Sequence, residues 1–511
     1  MNRVERAEQD LGSVRTHLLR GEIAAAQAVL TVALGRSPHS IELRRAQAGI
    51  HQQCGRVAEA ESLLWDLVRE APGDAAAAFG LARILQQQGR MAATAQVIGA
   101  CVGSEPNCRD ANLAISAIEL LDACGRQETA AAVVHAAIAA NPDDARLHAY
   151  AGMLEMKLGR FQLAREHYLS ALCGNEQGWE WHVPIGLAFT KRYAAIDDPD
   201  LALFREGLQR EGLSALARAE LCFALGKADD DLGRHAQAAQ NFRKGNAIAR
   251  DLANRSGERW KSGSTAWSAS EGSLEQGGPA SDFTPIFIVG VPRSGTTLLA
   301  ELLSRNPSVC NRGELPWIDR VSQELERGND ASRRVLENAA ATYRMQCRQD
   351  DAGDARWFVD KQPLNFRHID LMLALFPHAR IVYCRRNPRD TALSLWMQLF
   401  ADEALGFSCD FAWIARVMSD CGRLMAQACG NHPSSIHTVQ YEALVRDPER
   451  VIGDLAAWLG LPDAVAGTSG ERTAVGTSSL WQVRQPIYRT SVERWRYYAP
   501  YVPELLEFPE I

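Results

Sequence analysis

A glycine-containing stretch between two apolar segments has the residue types of an anion-binding loop. Residues 290–297 read GVPRSGTT, after the apolar run IFIV and before the leucine-rich run LLAELL. Glycines allow backbone N–H groups to face an anion, and a helix that begins here adds the positive end of its dipole. Thr296 and Thr297 can donate hydroxyl hydrogen bonds, and Arg293 supplies a positive charge. We therefore predict a phosphate-binding loop, with a tight strand-to-helix turn as the alternative.

The same stretch differs from the Walker A motif of NTPases at the position of the lysine. After its second glycine that motif has Lys followed by Ser or Thr, whereas this chain has Thr296 and Thr297. An NTPase also needs a carboxylate that holds magnesium, and the sequence offers no convincing one. The pattern therefore favours an anion site without a metal, and a metal-dependent kinase or NTPase is kept as an alternative.

Strands and helices alternate around this loop. The segments PIFIVGV, RWFVDK, ARIVYCRR and SIHTVQYE are short and apolar, which is typical of buried parallel strands. Helical stretches lie between them, among them TTLLAELLSRNP, NFRHIDLMLALF and PRDTALSLWMQLFA. This alternation predicts an α/β domain with a parallel sheet covered on both faces. Ligands of such sheets bind at the carboxyl ends of the strands, where the loop lies.

A repeat of about 34 residues fills the first half of the chain. The segments CGRVAEAESLL, QGRMAATAQVI, CGRQETAAAVV and LGRFQLAREHY are alike, and RGEIAAAQAVL is a weaker copy. Their glycines lie 34, 34, 36 and 34 residues apart: Gly21, Gly55, Gly89, Gly125 and Gly159. Prolines keep the same interval: Pro38, Pro72, Pro106 and Pro142. Gly at a helix–helix turn and Pro after the second helix, where it ends the helix, are typical of tetratricopeptide repeats.

The chain of 511 residues is long enough for two or more domains. We interpret residues 1–250 as a right-handed solenoid of helix pairs, in which the pattern weakens after the fifth glycine and returns around Gly233. Residues 251–284, rich in Gly, Ser and Ala, are interpreted as a linker, and residues 285–511 as the α/β domain. The solenoid is expected to hold a protein or peptide partner, or only to support the next domain or a homodimer.

Composition argues against several classes of protein. The charged and hydrophobic fractions, 23% and 46%, are ordinary for a globular protein. A net charge of -7 argues against binding of nucleic acid or of a membrane surface. The polar N-terminus and the lack of a long apolar run predict a cytoplasmic protein. Twelve scattered cysteines without a C-x-x-C pair predict reduced thiols rather than disulfides or a metal site.

FIVGVPRSGTT together with YCRRNPRDTALSLW resembles the two cofactor signatures of sulfotransferases that use 3'-phosphoadenosine 5'-phosphosulfate (PAPS). The chain is most similar to the tyrosylprotein sulfotransferases and to bacterial sulfotransferases with tetratricopeptide repeats. The resemblance covers roughly residues 284–500. It implies transfer of a sulfuryl group to an acceptor hydroxyl without a metal, with 3',5'-adenosine bisphosphate (PAP) as product. A protein or peptide tyrosine is the expected acceptor. A carbohydrate or lipid acceptor, or a scaffold with a non-catalytic nucleotide-binding domain, are the alternatives.

The resemblance also implies which residues bind the nucleotide. In the second signature Arg386 and Ser394, eight residues apart, would converge on the 3'-phosphate, and Tyr441 would contact the nucleotide. A guanidinium offers a phosphate a fork of donors. The residues implied to hold the 5'-phosphosulfate are Arg293, Ser294, Gly295, Thr296 and Thr297.

Two charged residues are implied to act on the reacting groups. Glu314, in NRGELPWI, matches the glutamate that serves as the general base in the tyrosylprotein enzymes. Lys361, in FVDKQPLNF, would neutralise charge at the bridging oxygen, and a structural salt bridge with Asp360 is the alternative. Many cytosolic sulfotransferases use a histidine base, so His368 is the alternative to Glu314, although it is expected in the middle of a helix.

The segment TSSLWQVRQPIYRTSVERW resembles the closing segment of the family. By this resemblance Ser479 would assist at the sulfuryl group, and Arg484 or Arg489 would reach the 3'-phosphate. The tyrosylprotein enzymes carry Lys where this chain offers Gln485 or a nearby arginine, so the arginine contact departs from their pattern.

Overall fold

The computed structural model describes most of the chain. The described ranges are residues 3–103, 107–173, 176–256, 282–328, 332–349, 355–400, 402–462 and 490–510. The chain divides into two compact units, one formed by residues 1–150 and one that holds nearly all of residues 151–511. Within the described ranges, no helix is both long enough and apolar enough to cross a membrane.

The N-terminal unit consists of α-helices that pack in consecutive pairs. The helices are α1 Arg3–Leu19, α2 Ile23–Arg36, α3 Ile41–Gln53, α4 Val57–Glu70, α5 Ala75–Gln87, α6 Met91–Val102, α7 Ala111–Ala123 and α8 Gln127–Ala140. The glycines inside the pairs all have a φ of 72–74°, which favours glycine: Gly21, Gly55, Gly89 and Gly125. Pro38 and Pro72 follow two residues after α2 and α4 end, and Asp74 caps α5 by accepting from the N–H of Ala77. The predicted repeat is confirmed.

Further helices follow, of which the first, α9, begins in the first unit and ends in the second. They are α9 Ala145–Leu158, α10 Phe161–Leu172, α11 Val183–Ala188, α12 Pro199–Leu208, α13 Ala215–Asp231 and α14 His235–Ser256. α11 and α12 are short and occupy the region where the repeat pattern weakens. α13 and α14 form a pair again, and the glycine between them, Gly233, has a φ of 71°. The pair packs closely because Gly226 of α13 faces Phe242 of α14, where a Cβ would lie 2.7 Å from the ring.

A parallel sheet forms the centre of the α/β domain. Its strands are β1 Thr284–Gly290, β2 Val309–Asn311, β3 Trp357–Asp360, β4 Arg380–Arg385 and β5 Ile436–Gln440. In the described residues their order across the sheet is β2-β3-β1-β4-β5, and every pairing is parallel. The fold class predicted from the sequence is confirmed, and so are four of the strands. β2 was not predicted, because three residues give no recognisable alternation.

Helices cover both faces of the sheet. They are α15 Thr296–Leu303, α16 Trp317–Gly328, α17 Arg333–Arg348, α18 Ile369–Leu375, α19 Pro388–Trp396, α20 Phe411–Asn431, α21 Tyr441–Arg446, α22 Pro448–Leu459 and a short helix at Trp495–Tyr498. Ile286 and Ile288 of β1 pack in one core with α15 and α22, whereas Phe287 and Val289 pack in the other with α17–α20. The second core also contains Phe242 of α14, so the last repeat pair shares the core of the α/β domain.

Candidate active site

The strands of the sheet all end at one edge, and a predicted residue follows each of them. Parallel strands place their carboxyl ends together, with neighbouring strands about 4.8 Å apart. In the order β2, β3, β1, β4 and β5, the residues that follow are Glu314, Lys361, the loop 291–295, Arg386 and Tyr441. The phosphate-loop sequence therefore lies in the middle of this edge. Glu314 and Lys361 lie on one side of it, and Arg386 and Tyr441 lie on the other.

The loop after β1 has a backbone that few residues tolerate. Gly295 has a φ of 98°, and a Cβ at this position would lie 2.3 Å from Cδ2 of Tyr441. Arg293 has a φ of 72°, which is uncommon for a residue with a side chain and is often found at functional sites. α15 begins at Thr296, so the N–H groups of its first turn and the positive end of its dipole lie at the loop.

Arg386, Ser394 and Tyr441 line one cleft beside this loop. Nη1 of Arg386 donates to the carbonyl of Arg293 at 3.0 Å, and the guanidinium lies 4.7 Å from the centre of the Tyr441 ring. Nε of Arg293 donates to Oγ of Ser394 at 3.1 Å. The cleft, about 370 Å³ including its open mouth, is lined by Arg386, Asp390, Leu393, Ser394, Met397, Tyr441, Ser491 and Arg494. The two residues of the second signature, Arg386 and Ser394, thus line the same cleft.

Two buried polar atoms of the site have no hydrogen-bond partner among the described residues. They are Oγ of Ser294 and Nε of Arg386. The backbone of Ser294 is held against β4, since its carbonyl accepts from Sγ of Cys384 at 3.0 Å, but its hydroxyl stays unpaired. An unpaired buried polar group costs about 1–3 kcal/mol, and phosphate oxygens are acceptors that would satisfy such donors. The residues present therefore fit a phosphate-containing ligand.

Glu314 and Lys361 form an ion pair between Oε1 and Nζ. The Lys361 side chain is 2% exposed, whereas that of Glu314 is 40% exposed. Burial lowers the pKa of Lys361, and the nearby Glu314 carboxylate opposes that shift. The N–H of Lys361 donates to the carbonyl of Gly313 at 2.7 Å, which ties the loop that carries Glu314 to the end of β3. The pair combines a solvent-accessible proton acceptor with a buried positive charge.

Asp360, the last residue of β3, is buried behind this pair. Its Oδ1 accepts from the N–H of Leu315 at 3.3 Å, and its Oδ2 accepts from the hydroxyl of Tyr343 at 2.8 Å. Desolvation raises the pKa of Asp360 to about 7, although both of these hydrogen bonds lower it. The ion pair of Lys361 is with Glu314, not with Asp360. Asp360 therefore holds the Glu314 loop through the backbone of Leu315.

His368, the alternative base, lies at the junction of a 3-10 helix, Pro363–His368, and α18 rather than in the middle of a helix. It is buried, and its Nε2 lies 3.3 Å from Oδ1 of Asp319. The hydrogen bond with His368 holds the pKa of Asp319 below its ordinary value. Among the residues that the structure describes, no cluster of His, Cys, Asp and Glu could hold a metal ion.

The closing segment is described only from residue 490. Ser479, Arg484 and Arg489 lie outside the described residues. Ser491 and Arg494, which were not predicted, line the cleft. The signal was present in the sequence, because both belong to the segment expected to close the site. Residue type alone did not distinguish Arg494 from the arginines that precede it.

Comparison with known families agrees with this arrangement. Residues 285–464 match the model of the sulfotransferase family, and residues 17–84 match that of the tetratricopeptide repeat. The chain therefore contains a sulfotransferase-family domain preceded by tetratricopeptide repeats. The combination predicted from the two signatures and the 34-residue period is confirmed.

Three similar proteins each match less than half of the chain. An uncharacterized protein of Aquifex aeolicus is 34% identical over 242 residues, which are 44% of this chain and 32% of that protein. Protein-tyrosine sulfotransferase 1 of Danio rerio is 26% identical over 239 residues, 42% of this chain and 66% of that protein. The sulfotransferase domain of the Synechococcus PCC 7002 olefin synthase is 22% identical, with a TM-score of 0.32, over 43% of this chain and 90% of that domain. The chain thus spans 32% and 66% of the lengths of the two sequence relatives.

Proposed function

We propose that the protein transfers a sulfuryl group from PAPS to an acceptor hydroxyl. The observation that carries the proposal is the order of residues along the sheet edge: Glu314 and Lys361, then the phosphate loop, then Arg386. A donor with a 5'-phosphosulfate and a 3'-phosphate needs two anion sites, and its acceptor needs a base beside the first. The sulfotransferase-family domain supports the same reaction class.

The two anion sites would bind the two ends of the donor. The N–H and hydroxyl groups of residues 294–297, at the start of α15, would hold the 5'-phosphosulfate. Arg386, with its unpaired Nε, and Ser394 would hold the 3'-phosphate in the cleft that they line. When bound, PAPS supplies an activated sulfuryl group, whose S–O bond to the 5'-phosphate breaks as the acceptor oxygen bonds to sulfur, leaving PAP.

The ion pair would link proton removal to charge stabilisation. Glu314, ionised in the pair, is in the form that a general base requires, and it would take the proton of the acceptor hydroxyl. On taking up that proton, Glu314 ceases to be the counter-ion of Lys361. The Lys361 ammonium then stabilises the negative charge that develops on the departing phosphate oxygen.

Binding of PAP by the full chain in the presence of EDTA tests the donor. We expect calorimetry to show binding that Arg386→Ala weakens by about 30-fold, because a charge-assisted contact worth about 2 kcal/mol is lost. Arg385→Ala is the matched control, since this neighbouring arginine is exposed. Tight binding of ATP with magnesium and none of PAP would instead support a kinase or NTPase. Binding of PAP without transfer to any acceptor would support the non-catalytic scaffold.

A peptide or protein tyrosine is the acceptor that we propose. Tetratricopeptide repeats are protein-interaction modules whose concave surfaces bind extended chains. The Danio rerio relative carries the name of a protein-tyrosine sulfotransferase. With labelled PAPS, tyrosine peptides should be labelled and the same peptides with Phe for Tyr should not. Label that enters only the polysaccharide or lipid fraction of a cell lysate would assign the acceptor to those classes.

A further inference from the structure

The loop that carries Glu314, residues 312–316 between β2 and α16, is fixed to the sheet where it begins. The N–H of Arg312 donates to the carbonyl of Val359, on β3, at 2.8 Å. Gly313 has a φ of 68°, so the chain turns sharply just before Glu314. These features place the start of the loop at the edge of the sheet where the strands end.

The side chain of Arg312 attaches the same loop to the end of α17. Its Nε donates to the carbonyl of Cys347 at 2.5 Å, and its Nη2 donates to the carbonyl of Arg348 at 2.9 Å. These are the last two residues of α17, and the last carbonyls of an α-helix lack a partner within the helix. A cation at this end also interacts favourably with the helix dipole. Arg312 therefore caps α17 and, through its own backbone, holds the chain two residues before Glu314.

The same helix also holds the loop on the other side of Glu314. Tyr343, on α17, is buried, and its hydroxyl donates to Oδ2 of Asp360 at 2.8 Å. The other oxygen of Asp360 accepts from the N–H of Leu315 at 3.3 Å. Both flanks of Glu314 are thus connected to α17, one directly through Arg312 and the other through Asp360.

The position of Glu314 has to come from this backbone, because its ion pair does not last through the reaction. The side chain is 40% exposed, and it ceases to be the counter-ion of Lys361 when it takes up the proton of the acceptor. A general base must lie within hydrogen-bond reach of that proton, and a displacement of about 1 Å can lower a rate by about 100-fold. Small movements of the loop should therefore change turnover.

We propose that Arg312 and Tyr343 are positioning residues of Glu314, so that α17 sets the place of the base. The inference rests on the proposed function, because it takes Glu314 to be the general base. α17 belongs to neither cofactor signature, and both side chains act through the loop rather than on the reacting groups. Glu314 is therefore placed by two elements, since β3 holds the start of its loop and α17 holds both of its flanks.

The test compares kcat, measured on the full chain with labelled PAPS and a tyrosine peptide, with the affinity for PAP. Arg312→Met should lower kcat by about 10-fold, because the base is no longer held in place, and leave the affinity for PAP within about twofold. Arg312→Lys keeps a charge and a donor at the end of the helix, so it should restore part of kcat. Tyr343→Phe should lower kcat by about threefold or more. In the Glu314→Gln background, Arg312→Met should add nothing, because it acts through that glutamate.

An ion pair at the same end of α17 provides the matched control. The side chain of Arg348 pairs with Asp282, which is 62% exposed and does not belong to the loop that carries Glu314. Asp282→Asn should leave kcat within about twofold, and unfolding midpoints measured for each variant show that it is folded. An equal loss of kcat in Asp282→Asn and Arg312→Met, or an equal loss of kcat and of PAP affinity in Arg312→Met, would overturn the inference.

The outcomes also separate this inference from the proposed function. If the wild-type chain transfers the label, and Glu314→Gln stops the transfer while Arg312→Met and Tyr343→Phe do not slow it, only the positioning role is refuted. If the wild-type chain binds no PAP and labels no acceptor, the proposed function is refuted and this inference with it.

Discussion

Replacing either member of the Glu314–Lys361 pair should stop turnover, but the two replacements should differ in their effect on stability. In Glu314→Gln the ammonium of Lys361 loses its counter-ion and remains buried. In Lys361→Met the carboxylate of Glu314 loses its partner but is solvated, because this side chain is 40% exposed. An unpaired charge is therefore left buried in Glu314→Gln but not in Lys361→Met, and Glu314→Gln should be the less stable variant.

The magnitude follows from the burial of the two partners. Removing one partner of a fully buried pair costs about 3–5 kcal/mol. Glu314 is partly exposed, so solvent screening reduces this figure, and we expect Glu314→Gln to lower the free energy of unfolding by about 2 kcal/mol at pH 7. Lys361→Met replaces a desolvated charge by an apolar side chain of similar length, so its effect should stay within about 1 kcal/mol.

The pH dependence of the difference provides a further check. Burial lowers the pKa of Lys361, and loss of Glu314 would lower that pKa further. The unfolded chain then binds more protons than the folded one, so stability rises with pH toward the ordinary lysine pKa. The amount by which Glu314→Gln lowers the free energy of unfolding, relative to wild type, should therefore become smaller between pH 7 and about pH 9.5.

Urea unfolding followed by circular dichroism measures the stabilities, and labelled PAPS measures turnover. Turnover should fall by about 100-fold or more in both variants, while Glu314→Gln keeps its affinity for PAP. Asp454→Asn is the control, because it breaks the exposed pair with Arg450 and should cost under about 0.5 kcal/mol. Equal destabilisation by the two site variants would refute the reasoning. Turnover that survives Glu314→Gln but is lost in His368→Ala would move the base to His368.

Two further predictions concern pH and domain boundaries. Because the pKa of Asp360 is raised to about 7, the folded protein keeps a proton that the unfolded chain releases, so the contribution of Asp360 to the free energy of unfolding falls as the pH rises from about 4 to 7. In urea titrations, the free energy of unfolding of Asp360→Asn should rise by about 2 kcal/mol relative to that of wild type between pH 5 and pH 8. A difference between the two proteins that does not change with pH would contradict the raised pKa. Residues 151–511 should bind PAP as the full chain does, whereas residues 285–511 should unfold at lower urea and bind PAP more weakly, because α13 and α14 are removed. Equal stability and affinity of the two fragments would instead support the proposed division at residue 285.

Most of the fold was accessible from the sequence because it is encoded in local periodicity. Each repeat glycine has the positive φ that a tight helix–helix turn requires. The 34-residue period of glycines therefore indicates where these turns lie. The buried strands are continuous apolar runs, since helices cover both faces of the sheet. β2 is too short to carry such a signal, and it forms because β3 provides a parallel neighbour at Trp357–Val359.

The candidate site was predictable where a motif places a residue at a strand end, as for Arg386 and Lys361. The pairing of side chains was not predictable. Asp360 is adjacent to Lys361 in sequence and was the natural salt-bridge partner, yet adjacent residues of a strand point to opposite faces. The lysine instead meets Glu314, which follows the neighbouring strand, and Asp360 points into the core toward Tyr343.

The end of the repeat region was the hardest feature to predict, because its partners are distant in sequence. A terminal repeat of a solenoid normally needs a polar outer face. α13 instead buries residues around most of its circumference, from Ala217 to Asp229, and Phe242 of α14 lies 6.0 Å from the ring of Trp396. Such a helix is covered on all sides. α11, α12 and α14 supply most of that cover, and α14 in turn packs on the sulfotransferase-family domain at Trp396. Asp230 also forms an ion pair with Arg494, which lies 264 residues further along the chain. A truncation that removes α13 and α14 from this domain would therefore expose the apolar surface around Trp396. The same truncation would remove Asp230, the ion-pair partner of Arg494.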